Sequence, residues 1–196
     1  MDTKLIGLTG FAGSGKDEVR AVLRSVGYIG FAFADPIRSM IADLLAGVGE
    51  CDGWIEDRAL KEQVIPALGV SYRQMAQTMG TEWGRALRPD FWIRIAAAYM
   101  TDIQTAQRSP FWIDDDEPTP DRQHFCISDV RFENEAAWVR AQGGVIWRVH
   151  REGLAAVRAH ASESEQDSIR PARTIHNNGT LDDLRVAVLE ALGVVA

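Results

Sequence analysis

Short apolar runs alternate along the chain with stretches in which apolar residues recur every three or four positions. The run Leu5-Ile6-Gly7-Leu8-Thr9 predicts a buried strand over 4–9. Behind it, Val19, Val22, Leu23 and Val26 mark one face of a helix over 15–26. The same reading predicts strand 28–33, helix 36–47, a helical block 71–88, helix 90–107, strand 124–129, helix 133–142, strand 145–150 and helix 181–192. Pro89-Asp90 reads as a helix stop followed by a new N-cap, and Gly143-Gly144 as a helix C-terminus. Strands that alternate with amphipathic helices predict an α/β fold with a parallel sheet. A length of 196 residues predicts one domain with a full core.

Between these elements lie two polar stretches. Segment 109–123 is Pro-rich and predicts a loop, whose Asp114-Asp115-Asp116-Glu117 run reads as a solvated acidic face before it reads as a cation chelator. Segment 151–174 carries Arg151, Arg158, Arg170 and Arg173 and stands where a mobile lid is expected. A net charge of −7 argues against general binding to nucleic acid or anionic membranes, both of which reward a basic surface. Cys51 and Cys126 form no metal-ligand spacing, and no apolar stretch is long enough for export or membrane insertion. The expectation is a reduced, cytosolic protein. Arginine outnumbers lysine by eighteen to three. An Arg-rich phosphate site and an Arg-favouring genome both account for that ratio.

The chemistry starts at Gly10-Phe11-Ala12-Gly13-Ser14-Gly15-Lys16, a G-x-x-x-x-G-K sequence between the first strand and the first helix. Such a loop turns its backbone N–H groups toward nucleotide phosphates, the helix N-terminus favours the anion, and the Lys reaches the β and γ phosphates. Asp17 stands where a Ser or Thr hydroxyl usually meets Mg²⁺. A second carboxylate, Asp129, ends the apolar strand Phe125-Cys126-Ile127-Ser128; there it either orients Mg²⁺ or opens the turn before Glu133. Arg131 follows and either stabilises transferred phosphoryl charge or pairs with a neighbouring acid.

The block from Ser71 to Arg85 is weakened as a plain helix by Gly80 and Gly84. Within it Arg73 and Gln77 stand at i, i+4 and share a face. Trp83 and Trp92 are candidates both for the core and for stacking on a base.

Several segments, in this order, give the chain a likeness to a known family: the loop ending Gly15-Lys16-Asp17, Phe33-Ala34-Asp35-Pro36-Ile37-Arg38, the Arg73–Arg85 block with Gly80-Thr81-Glu82-Trp83, Ile127-Ser128-Asp129-Val130-Arg131-Phe132-Glu133-Asn134-Glu135, His160-Ala161-Ser162-Glu163 and Asn177-Asn178-Gly179-Thr180-Leu181. The chain resembles the deoxynucleoside monophosphate kinases of tailed bacteriophages and their bacterial relatives. An Asp after the loop Lys is usual in that family, while Glu18 departs from the Thr often seen there. The resemblance implies a three-layer, phosphate-loop fold of the nucleoside-monophosphate-kinase type, with a five-stranded parallel sheet, a monophosphate-binding helical region near 35–108 and a lid near 151–174.

By matching position, the resemblance implies that Gly10, Gly13, Ser14, Gly15, Lys16, Asp17 and Glu18 hold ATP, with Asn177 and Gly179 near adenine. Asp35, Arg38, Arg73, Gln77, Gly80, Thr81, Arg85, Asp90 and Trp92 surround a deoxynucleoside monophosphate, and Asp129 and Arg131 sit with Lys16 at the transfer point. Asp129 and Asp17 are the implied Mg²⁺ carboxylates. A homodimer is consistent with the family. The rivals are a kinase of hydroxymethylated pyrimidine in phage DNA, disfavoured by the acidic chain, a dephospho-coenzyme-A kinase, to which the Arg73–Arg85 block is foreign, and a nucleotide-binding regulator without turnover.

Overall fold

A computed structural model describes residues 3–105, 123–154 and 161–194. The acidic run 114–117, Arg158 and His160 lie outside the described residues, as do the side chains of 161–164. In chain order the elements are β1 Leu5–Thr9, α1 Lys16–Ser25, β2 Ile29–Phe31, α2 Asp35–Gly47, α3 Gly53–Glu56, β3 Val64–Ile65, β4 Val70–Ser71, α4 Tyr72–Gln77, a π-helix Thr78–Arg85, α5 Phe91–Gln104, β5 Phe125–Ile127, α6 Glu133–Ala141, β6 Val145–His150, α7 Ala161–Ser168, β7 Arg173–His176 and α8 Leu181–Leu192.

The chain divides into two compact units, Phe33–Arg94 and the remainder, Met1–Ala32 with Ile95–Ala196. The larger unit is built on a five-stranded sheet in the order β2-β5-β1-β6-β7. Every pairing in it is parallel. All five residues of β1 are buried, as expected for the central strand of a sheet covered on both faces. On one face, Ile6, Leu8, Trp147, Val149 and Ile175 pack with Val19 and Leu23 of α1 and Leu184 and Val188 of α8. The helix start at Thr180 is fixed by a capping box, in which Thr180 Oγ1 and Asp183 exchange hydrogen bonds. The backbone and side-chain donors of Thr180 hold the Asp183 carboxyl below the usual range.

Three features depart from the sequence reading. The fifth strand, Arg173–His176, begins inside the segment read as a polar lid region. Only Ile175 of its four residues is buried, because β7 lies at the sheet edge and offers no apolar run. The hairpin β3–β4 is built from two-residue strands, too short for a period-2 pattern to register. The block 71–88 is not a continuous α-helix: α4 gives way to the eight-residue π-helix.

Cys51 is exposed and Cys126, in the middle of β5, is fully buried; both are free thiols. Burial pushes the Cys126 thiol up to about 12. A thiol that is never ionised near neutral pH is inert. Alkylation of the native protein at pH 8 is expected to label Cys51 alone, and mass spectrometry after unfolding in guanidinium to show a second labelled cysteine.

Candidate active site

The phosphate loop leaves β1 at its C-terminal end. There the chain order of the strands reverses about β1, so that β2 and β5 lie on one side and β6 and β7 on the other. In open α/β sheets such a switch point, at the carboxyl ends of the strands, is where ligands bind. Gly10, Gly13 and Gly15 take φ of 140°, 83° and 102°, a region that side chains disfavour, and Gly15 precedes α1 directly. The half-buried Lys16 ammonium is held over the loop, donating to the carbonyls of Gly10 at 2.6 Å and Phe11 at 2.8 Å. Ser14 is buried, and its hydroxyl has no hydrogen-bond partner among the described residues. Beside the loop a cavity of about 50 Å³ is lined by Ser14, Arg148, His150 and Gln166 among others. It has room for water but not for a nucleotide, which needs several hundred Å³.

Asp129 sits beside the start of this loop, because the next residue, Val130, donates its N–H to Leu8 O at 3.0 Å. Asp129 is 7% exposed, whereas the Asp17 side chain is 82% exposed and lies 3.9 Å from Arg20. Glu18 is exposed on the first turn of α1. The turn that carries Arg131, itself exposed, is braced by Glu135. That buried carboxylate accepts the N–H of Arg131 at 2.8 Å and of Phe132 at 3.1 Å. Asn177 and Gly179 follow β7. Asn177 is buried under the loop, donating Nδ2 to Ser14 O at 2.9 Å, and Gly179 leads into α8.

The remaining candidates fall in the unit Phe33–Arg94. Asp35 and Arg38 pair at 2.7 Å on the first turn of α2. Arg73 is paired with Glu62 and donates its backbone N–H to Lys61 O. Gln77, half-buried, is the last residue of α4, and Gly80 and Thr81 belong to the π-helix. Arg85 ends that helix, with Nη1 3.4 Å from Pro89 O. Asp90 is gripped by Arg88 at 3.0 Å and Arg94 at 2.8 Å, and the Arg88 guanidinium, then the Arg94 one, hold its carboxyl below the usual range.

Trp92 is 5% exposed. Its Nε1–H donates to Gly80 O at 2.8 Å, and its ring packs on Gly84, where an added Cβ would lie 2.4 Å from the indole. The absent side chain at Gly84 is therefore what lets the π-helix close on Trp92. Gly84→Ala is expected to destabilise the protein by about 1–3 kcal/mol through overpacking against a rigid ring, measured by urea unfolding.

The model of the family Deoxynucleotide monophosphate kinase matches residues 54–188, which hold the Arg73–Trp92 block, the Asp129–Glu135 turn and Asn177. The chain belongs to the deoxynucleotide monophosphate kinase family. A protein of Acanthamoeba polyphaga mimivirus given the same family name is 30% identical over 193 residues, covering 96% of this chain and 95% of its own. Among solved structures, TT1252 from Thermus thermophilus matches with a TM-score of 0.50 at 20% identity and full coverage of both chains. A dephospho-CoA kinase from Campylobacter jejuni aligns at a TM-score of 0.46 and 15% identity, over 97% of this chain and 96% of its own. Membership in this family supports a kinase-type, phosphotransferase function for the chain. Among the described residues no helix is long and apolar enough to cross a membrane.

Two residues of this family member escaped the sequence reading. Glu135 closes the motif Ile127–Glu135, and a Glu three residues after a helix start is the second half of a capping box. Arg148 lies inside an apolar strand and donates to the carbonyls of Gln166 and Ile169, both at 2.9 Å, at the end of α7. Nothing in the local sequence announces that contact.

Proposed function

We propose that the chain transfers the γ-phosphoryl group of ATP to a deoxynucleoside 5′-monophosphate, giving ADP and the diphosphate. The observation that carries this reading is the glycine loop ending in Lys16 at the end of the central strand, with Asp129 at the end of the adjacent one. The acceptor phosphate is already an anionic nucleophile, so the reaction needs positioning and charge neutralisation and no strong base. Lys16 neutralises the phosphates of the donor and Arg131 the charge in transit. Mg²⁺, when bound, would supply further neutralisation between the phosphates. A sheltered carboxylate beside the loop suits that hard cation, so Asp129, with Asp17 at the helix start, would hold it. Arg38, Arg73 and Arg85 hold the monophosphate, with Asp35, Gln77, Gly80 and Thr81 around it. Asp90 orients the arginines that grip it, and Trp92 is a positioning residue of the π-helix. Residues 1–196 act as one kinase domain, with an acceptor region near 35–108 and a lid within the segment 151–174 that stops short of β7.

The test is ADP release from ATP·Mg²⁺ with a panel of ribo- and deoxynucleoside monophosphates, dephospho-coenzyme A and duplex DNA. Turnover confined to deoxynucleoside monophosphates supports the reading; turnover with only one of the other acceptors replaces it. Within that assay Arg73→Ala and Arg85→Ala are expected to raise KM for the monophosphate about tenfold or more and KM for ATP far less, since Arg–phosphate contacts are charge-assisted. Equal losses for both substrates would move these arginines out of the acceptor site.

A further inference from the structure

We propose that Asn177 is a positioning residue whose carboxamide sets the anion-binding shape of the phosphate loop and does not read adenine. The proposal rests on the loop being the donor site argued above. Asn177 is 8% exposed and tied at both ends: Nδ2 donates to Ser14 O at 2.9 Å and the backbone N–H donates to His150 O at 2.8 Å. The amide also fills the space beneath Gly15, where a Cβ would come within 2.3 Å of Nδ2.

The consequence follows from peptide geometry. In a trans peptide the C=O and the following N–H point in opposite directions. Holding the Ser14 carbonyl inward therefore turns the Gly15 N–H outward, the orientation in which it can donate to a phosphate oxygen. Without the carboxamide that peptide is free to rotate, the more so because Gly13 and Gly15 have no side chain to resist it. One of the two Nδ2 hydrogens is spent on that carbonyl, and at 8% exposure the carboxamide presents little of itself to a base.

The discriminating probe is inorganic tripolyphosphate, which carries the phosphates of the donor and no base. Isothermal titration of the wild type, Asn177→Ala and Asn177→Asp with tripolyphosphate and with ATP, well below each melting temperature, reads the role directly. Asn177→Ala is expected to weaken both ligands by the same factor, about 5- to 30-fold, and to leave the ratio of ATP to GTP use as donor unchanged. Asn177→Asp, which keeps the size but places an anion under the loop, is expected to weaken both further, and it stands in if the alanine variant does not fold. A side chain that supported only the fold would lower the melting temperature without a matched loss for the two ligands. If ATP weakens while tripolyphosphate does not, Asn177 reads adenine and the proposal falls; if neither weakens, it falls as well. A wild-type protein that binds neither ligand overturns the donor-site reading itself, a pattern distinct from both.

Discussion

Replacing Lys16 by alanine is expected to lower kcat/KM by about 10²–10⁴-fold with the fold intact, the scale on which one main electrostatic stabiliser is lost. Its ammonium is already held by two loop carbonyls, Gly10 at 2.6 Å and Phe11 at 2.8 Å, so the charge is in place before any ligand arrives. Preorganisation of this kind needs no rearrangement at the moment of transfer. Lys16→Arg is expected to fail nearly as badly, because a planar fork cannot replace a compact ammonium in a loop built around it. Coupled ADP release measures the loss and circular dichroism the fold. A folded Lys16→Ala protein with near wild-type turnover would remove the phosphate role from the loop.

Asp129→Asn is expected to lower turnover by about 10²–10³-fold and to raise the Mg²⁺ concentration for half-maximal rate. The two candidate carboxylates differ sharply in setting. Asp129 is 7% exposed at the end of β5, tied to β1 through the next residue, whereas Asp17 is 82% exposed with Arg20 3.9 Å away. Mg²⁺ takes one or two protein carboxylates and keeps much of its water, so Asp17 fits the outer role and a favourable charge at the start of α1. Asp17→Ser, which restores a hydroxyl, is expected to retain more activity than Asp17→Ala. Mg²⁺ titrations of the three variants check the order. A normal Mg²⁺ dependence in Asp129→Asn beside a dead Asp17→Ser would exchange the two roles.

Four of the five sheet strands were legible because β1, β2, β5 and β6 are apolar runs. The fifth was not, since β7 buries Ile175 alone. The phosphate loop was legible from glycine spacing, because the left-handed backbone at Gly10, Gly13 and Gly15 admits little else. The π-helix was half legible: Gly80 and Gly84 signalled a weak helix, but the ring that occupies the space above Gly84 comes from Trp92, beyond the reach of a local pattern. For Asn177 the resemblance supplied its place in the chain, while its burial beneath the loop depends on a partner 163 positions away. The brace at Glu135 left only half its signature, since Phe132 has no side-chain acceptor to complete the box.

The sheet pairing also bears on how the protein is made. Of the five sheet strands β1 leaves the ribosome first, yet Leu5 pairs with Phe125 and Ile6 with Val145, so its partners β5 and β6 are synthesised roughly 120 and 140 residues later. The nascent chain thus carries a wholly buried strand without its partners until β5 has been made. The glycine loop beyond it has no seat until Asn177 has emerged. On the function proposed above, nucleotide competence is expected only once Asn177 has emerged, and a ribosome stalled before β5 leaves β1 uncovered for chaperones to bind.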